Sequence, residues 1–131
     1  MPLTQLDRMA AVDLARAIAE RKVSPVEAVG AALRRIEETE PQLNAFVQVD
    51  AEGAMAAARR AEADVGSGKR LGPLHGLPVS VKDLIDVKGL KATYGSLTLK
   101  DSIAPADAPS VERLREAGAI IIGKTTTSEF G

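Results

Sequence analysis

A run of four apolar residues, Ala119 to Ile122, has no alternation of polar and apolar side chains. A strand with one face in water alternates, whereas a strand covered on both faces of a parallel sheet does not. The preceding segment, 107–117, has the pattern of a helix that Asp107 caps and Gly118 ends. This order predicts a helix crossing over between two parallel strands, and therefore an α/β fold.

The other strand of this predicted pair lies at 77–83 and carries a lysine, Lys82. Val79 and Val81 fall on one face of such a strand, and Ser80 and Lys82 fall on the other. Spacing alone leaves two interpretations of Lys82 open. It is either a surface lysine with a buried stem, or a base, since a desolvated amine loses its proton more easily and can then accept one from a hydroxyl.

Three further helices and one strand are predicted before this pair. The first helix covers about 10–21. The second begins at Ser24, where Pro25 and Glu27 complete a capping box, and it ends before Pro41. A strand is predicted at 43–49 and an alanine-rich helix at 51–65.

The composition excludes several classes of function. Among the 131 residues there is no cysteine, and His75 is the only histidine, so a thiol nucleophile, a cysteine metal site or a multi-histidine metal site cannot be built from this chain. His75 itself is either a general base or a structural residue. The net charge of −1 and the scarce aromatic residues argue against direct binding of nucleic acid. No leader or membrane-spanning run is seen, so we expect no membrane association and a cytoplasmic location. We also expect no metal and no cofactor.

The segment 118–125 matches the P-loop pattern G-x-x-x-x-G-K-[ST]. A P-loop follows a strand and opens a helix, so that its backbone amides surround phosphate. Here the residues between the glycines are themselves the predicted strand, and a helix precedes them. The sequence therefore argues against nucleotide binding.

The predicted sheet is unfinished. A strand covered on both faces needs neighbouring strands and covering helices, and few strands are visible in this chain. The last residues, 124–131, follow the carboxyl end of that strand, which is the edge where open parallel sheets bind ligands. We therefore expect the chain to be a fragment of a longer protein, or to complete its sheet with a partner.

Several ordered motifs extend from about Leu6 to the end of the chain. They are RIE at 35–37, LNAF at 43–46, GPLHGLPVSVKD at 72–83, ATYGS at 92–96, DAPSVERL at 107–114, AGA at 117–119, GKT at 123–125 and EFG at 129–131. Together they resemble the N-terminal part of the amidase signature family, which includes amidases and the A subunit of tRNA-dependent amidotransferases.

The resemblance implies a mixed sheet covered by helices, incomplete in this chain, with residues 1–66 mostly helical and 71–131 forming the start of the α/β core. It implies an amide hydrolase with a Ser-cis-Ser-Lys triad that works through an acyl-enzyme. Lys82 corresponds to the lysine of that triad, and Phe130 and Gly131 are candidates for the substrate pocket. Thr126 stands where the family often has asparagine, a departure that concerns the local pocket contact.

Both serines of the triad belong to a family segment that is absent here, so we expect the 131-residue chain alone to be inactive. The expected substrate is a small-molecule amide. The expected partners are a second copy of the chain, as a homodimer, or the other subunits of an amidotransferase. Two alternatives stay open: the A subunit of a glutamine-dependent tRNA amidotransferase, and a non-catalytic α/β interaction module.

Overall fold

The computed structural model describes residues 3–69 and 71–131, in which helices and strands are interspersed. Two short 3-10 helices, Leu3–Arg8 and Leu97–Leu99, accompany the main elements. No helix within these ranges is both long enough and apolar enough to cross a membrane. The main elements are α1 (Ala11–Ala19), α2 (Pro25–Leu43), β1 (Phe46–Val49), α3 (Ala51–Gly66), β2 (Pro78–Lys82), α4 (Pro109–Glu116) and β3 (Ile120–Thr125).

The three strands form one mixed sheet in the order β1-β3-β2. β2 and β3 are parallel, and α4 lies in the connection between them, so the predicted crossover is confirmed. β1 pairs with the other side of β3 in the antiparallel direction. The α/β class and the mixed sheet covered by helices agree with the expectation from sequence.

The central strand β3 is covered on both faces. Ile120 and Ile122 pack on one side against α2 and α3. Ile121 packs on the other side with Val81 of β2 and Val111 of α4. These three isoleucines are only 4–6% exposed, which explains why the run shows no alternation.

A separate apolar cluster joins the first 3-10 helix, α1 and the first turns of α2. Leu77 belongs to the same cluster and immediately precedes β2, so the packing of the first helices fixes the point where that strand begins. Its buried members are Leu6, Leu14, Ala17, Ile18, Val23, Ala28, Ala31 and Leu77.

The start of α2 is capped as the sequence predicts. The Ser24 hydroxyl accepts a hydrogen bond from the Glu27 amide at 3.1 Å, and the Glu27 carboxylate accepts one from the Ser24 amide at 2.8 Å. Pro25 occupies the first turn, where its missing N–H costs nothing. Two of the unpaired amides at the helix start are satisfied in this way.

Replacing Ser24 with alanine removes one side of this capping box. We expect Ser24→Ala to lower the free energy of unfolding by about 1 kcal/mol, the usual cost of losing a side-chain cap. Urea denaturation of the full-length protein measures the effect. Ser67→Ala is the matched control, since the Ser67 hydroxyl only donates to the Asp64 carbonyl at the end of α3. Equal stability of the Ser24→Ala variant and the unmodified protein would show that the box contributes nothing.

The end of α2 differs from the prediction. The helix was expected to stop before Pro41, but it continues to Leu43 with Pro41 inside it. Pro41 has no N–H to donate to the carbonyl of residue 37, so the helix continues past it with one backbone hydrogen bond fewer, and the last turn is closed by other groups. Asn44 adopts a left-handed conformation with φ of 47°, and its amide donates to the Glu40 carbonyl at 2.8 Å. The Glu40 carboxylate then accepts the amides of residues 45 and 46, so β1 begins only at Phe46.

The predicted cap of α4 is also wrong. Ala108 occupies the N-cap position, and no side chain caps the helix. The Asp107 carboxylate instead accepts the Lys88 amide at 2.7 Å and pairs with Arg115 at 2.8 Å. Asp107 therefore ties a distant turn to the helix. The other predicted boundaries lie within a few residues of the observed ones, with α1 shorter at both ends.

Candidate active site

Lys82 is the last residue of β2 and lies opposite Thr125 of β3. Its side chain is exposed, while Val81 before it and Asp83 after it are buried. The alternation of β2 thus persists to its end and leaves Lys82 on the open side. Since β2 and β3 are parallel and end together, Lys82 lies at the sheet edge where ligands bind in folds of this class.

A buried ion pair lies next to Lys82. The ammonium of Lys124 contacts the carboxylate of Asp83 at 2.7 Å, and both side chains are fully buried. The same ammonium donates to the backbone carbonyl of Lys91, also at 2.7 Å. The carboxylate accepts the Thr93 amide at 3.2 and 3.3 Å and the Thr93 hydroxyl as well. Each charge therefore has several partners, as burial requires.

Sequence reasoning missed this pair. Its two members are 41 positions apart, and Lys124 was considered only as the lysine of the P-loop pattern. Its place in β3 and its contact with Asp83 give that lysine a different role. A charged residue inside a run of buried strand residues is itself a signal, because such a residue needs a counter-charge.

The loop at 93–96 packs closely beside the pair. The Tyr94 hydroxyl donates to the Asp86 carboxylate at 2.6 Å. This hydrogen bond raises the pKa of Tyr94 above its usual value, and partial burial and the negative charges of Asp86 and Asp83 add to the effect. Tyr94 also has a left-handed backbone, with φ of 51°.

The last residues of the chain lie against this loop. The Ser96 hydroxyl donates to Glu129 at 2.6 Å, and the Phe130 amide donates to the Tyr94 carbonyl at 2.7 Å. The side chain of Phe130 is 64% exposed. A methyl group added to Gly131 would lie 3.0 Å from Leu84, which follows Lys82 by two positions. Both pocket candidates thus lie near the turn that follows β2.

A cavity of about 310 Å³ opens between the 93–96 loop and the residues after β3. Within residues 3–69 and 71–131, the Thr127 hydroxyl near it is buried without a hydrogen-bond partner. The cavity is lined in part by Lys91, Thr93, Gly95, Ser96, Thr126 and Thr127.

His75 and Lys82 lie toward opposite ends of β2, because His75 precedes the strand and Lys82 is its last residue. Its Nε2 lies 2.9 Å from the carbonyl oxygen of Ala61 in α3. That contact makes Nε2 a donor and ties the loop before β2 to α3. The geometry favours the structural interpretation of His75.

The fold and the site together define an α/β protein with an exposed lysine at the end of a parallel strand and a buried ion pair beside it. The family model described as Amidase matches residues 27–131. The chain belongs to the amidase family, a family of enzymes that act on amides. This confirms the resemblance carried by the sequence motifs.

Three relatives show the extent of the similarity. The A subunit of the glutamyl-tRNA(Gln) amidotransferase of Acidothermus cellulolyticus is 44% identical over 128 residues, which are 98% of this chain and 25% of the relative. An acylamidase of Rhodococcus erythropolis is 39% identical over 123 residues, 94% of this chain and 26% of the relative. The native peptide amidase of Stenotrophomonas maltophilia matches with a TM-score of 0.89 at 31% identity, over 98% of this chain and 26% of that one. The chain spans about a quarter of the length of these relatives.

Proposed function

We propose that the chain is the N-terminal portion of a single amidase-signature domain, and that the complete protein hydrolyses C–N amide bonds. Residues 1–66 are the mostly helical part of this domain, and 71–131 are the start of its α/β core. The observation that carries the proposal is the position of Lys82, exposed at the end of β2 beside the end of β3. Membership of the amidase family supports the reaction class.

In the proposed reaction, Lys82 accepts a proton from a bridging serine, which takes the proton of the nucleophilic serine. The nucleophile bonds to the amide carbonyl carbon, and the C–N bond breaks as the leaving amine takes up the proton returned through the relay. Water then cleaves the acyl-enzyme, adding hydroxide to the acyl carbon and returning a proton to the nucleophilic serine. Both serines lie in polypeptide beyond this chain.

To act as a base, Lys82 must also be shielded from water. Its side chain is exposed here, so the segment that carries the serines is proposed to lie over it. Removing water from an amine disfavours its charged form, which favours proton acceptance. Phe130 and Gly131 stay proposals for the wall of the substrate pocket, because they lie near the turn after Lys82.

A second candidate function is that of the A subunit of a glutamine-dependent tRNA amidotransferase. The 44% identity to a protein of that name favours it. Glutamine would then be the small-molecule amide, and the ammonia released would pass to partner subunits. This alternative places the protein in the cytoplasm, where aminoacylated tRNA is found. A free amidase would instead act alone or as a homodimer.

The proposal predicts that the 131-residue chain alone is inactive and that the protein translated from the complete gene is active. The chain alone has the lysine but no nucleophile from the proposed serine segment. Ammonia release from L-glutamine and colour release from para-nitroacetanilide measure the two candidate activities. We expect turnover of at least one substrate by the longer protein and none by the 131-residue chain.

Three outcomes separate the alternatives. Activity on glutamine that rises when partner subunits are added supports the amidotransferase, and activity on the anilide without partners supports the amidase. A stop codon directly after Gly131, together with a folded and inactive product, would contradict the proposal and favour the non-catalytic interaction module. Turnover by the 131-residue chain itself would show that the serine segment is not needed.

A further inference from the structure

We propose that the buried pair of Asp83 and Lys124 is a positioning device that holds Lys82 on the solvent-exposed side of the end of β2, opposite the side of Val81 and Asp83. The inference rests on the proposed function of Lys82 as the base. It assigns a role to two charged residues that the proton relay does not use. Neither residue needs to contact the substrate for this role.

The pairing of β2 with β3 is irregular at one point. Val79 lies opposite Ile121, but the next residue, Ser80, lies opposite Gly123. Ile122 is therefore an extra residue, and β3 has a bulge at this point. A bulge shifts the alternation of the bulged strand by one position. Without it, Lys124 would share a face with Ile122.

After the bulge, Lys124 lies opposite Val81. Residues opposite each other on neighbouring strands share a face, and Val81 packs on the face covered by α4. Asp83 follows Val81 by two positions and continues the same alternation. The bulge thus brings the ammonium and the carboxylate to one side of the sheet, and Lys82 falls on the other side.

The pair of Asp83 and Lys124 connects several segments of the chain. Besides its contact with Lys124, Asp83 accepts two donors from Thr93, and its amide donates to the Thr125 carbonyl at 2.9 Å. Lys124 also reaches the carbonyl of Lys91. Three segments are therefore joined at one buried point: the turn after β2, the end of β3 and the 91–93 loop.

Lys82 is held through its two neighbours in the chain. This residue lies between Val81 and Asp83, which are both buried and both fixed by contacts on the far side of the sheet. A slip or rotation of the strand end would carry Lys82 toward the buried side or along the edge. A catalytic group displaced by about 1 Å loses roughly 100-fold in rate, so even a small movement of Lys82 would lower kcat.

An ion pair suits this task better than apolar side chains. Replacing a buried ion pair by apolar residues of similar volume often leaves the free energy of unfolding unchanged. Stability alone therefore does not explain why this pair is present. Charged hydrogen bonds are short and directional, and here they fix both the distance and the orientation of the strand end.

The test uses the full-length protein with Asp83→Asn and Lys124→Met combined. The double change removes both charges without leaving one unpaired, and the asparagine oxygen can still accept from Thr93. We expect kcat to fall by about 100-fold while KM stays within about twofold. A purely structural role would lower the melting temperature and leave kcat per folded molecule unchanged.

The matched control is Asp107→Asn combined with Arg115→Met. This pair has the same charges and a similar distance of 2.8 Å, but it is partly exposed to solvent, and Arg115 belongs to α4, not to the sheet. We expect its kcat to match that of the unmodified protein. Wild-type kcat in the Asp83/Lys124 double variant would overturn the proposal. If Lys82→Ala itself retained activity, the proposed function would fail instead, so the two failures are distinguishable.

A milder pair of variants decides the question if the double variant does not fold. Thr93→Val removes the hydroxyl that donates to Asp83 and keeps the shape of the side chain, whereas Thr93→Ser keeps the hydroxyl. We expect about a tenfold loss of kcat in Thr93→Val and recovery in Thr93→Ser, because a hydrogen bond to a charged group is lost and restored. Unchanged kcat in a folded Thr93→Val variant would contradict the positioning role.

Discussion

Lys82→Ala in the full-length protein is expected to reduce kcat for amide hydrolysis by roughly 10²–10⁴-fold, the contribution of a positioned general base. The melting temperature should barely change, because Lys82 belongs to none of the three apolar clusters of the core. Steady-state hydrolysis of para-nitroacetanilide and L-glutamine, together with thermal unfolding, measures both quantities.

Lys82→Arg sharpens this test. Arginine keeps the charge and length of the side chain, but a guanidinium stays protonated and cannot accept a proton. We expect it to be as inactive as the alanine variant. Lys88→Ala, at another exposed lysine in the turn after β2, is the control that should keep full activity. Near-normal kcat in Lys82→Arg would mean that charge, not proton acceptance, is what this position supplies.

Local patterns in the sequence were enough to predict much of the fold. The unbroken run at 120–122, the helix before it and the alternating residues of β2 are consecutive features, and together they imply parallel pairing across a helix. The end of α2 and the cap of α4 were wrong for one reason. In each case the deciding contact, Glu40 with the start of β1 or Asp107 with Lys88, involves a carboxylate whose partner lies outside the element.

The same distinction between local and long-range features applies to the candidate site. Lys82 could be proposed as a site residue because its motif is contiguous, and its position in the alternation of β2 follows from its neighbours. The Asp83–Lys124 pair was not found because it depends on the bulge at Ile122, and nothing in the run of isoleucines shows which residue is extra. Long-range register is a property of two strands at once, so neither strand predicts it alone.

Breaking the buried pair on one side is the second change with a large expected effect. Lys124→Met leaves the Asp83 carboxylate fully buried without its counter-ion, and it leaves the Lys91 carbonyl without its donor. We expect a loss of about 3–5 kcal/mol in the free energy of unfolding, the usual cost of an uncompensated buried charge. Net stabilities of about 5–15 kcal/mol make this a large fraction of the total.

The double variant Asp83→Asn with Lys124→Met should then be more stable than Lys124→Met alone, although it has one more substitution, because it removes the stranded charge. Urea denaturation of the two variants, with Asp107→Asn as a surface control, measures the difference. The surface change should cost no more than about 1 kcal/mol. If the single and double variants lost equal stability, the stability of β3 would depend on the packing of the Lys124 stem and not on its charge. Recovery of stability without recovery of kcat would separate the folding role of the pair from its effect on Lys82.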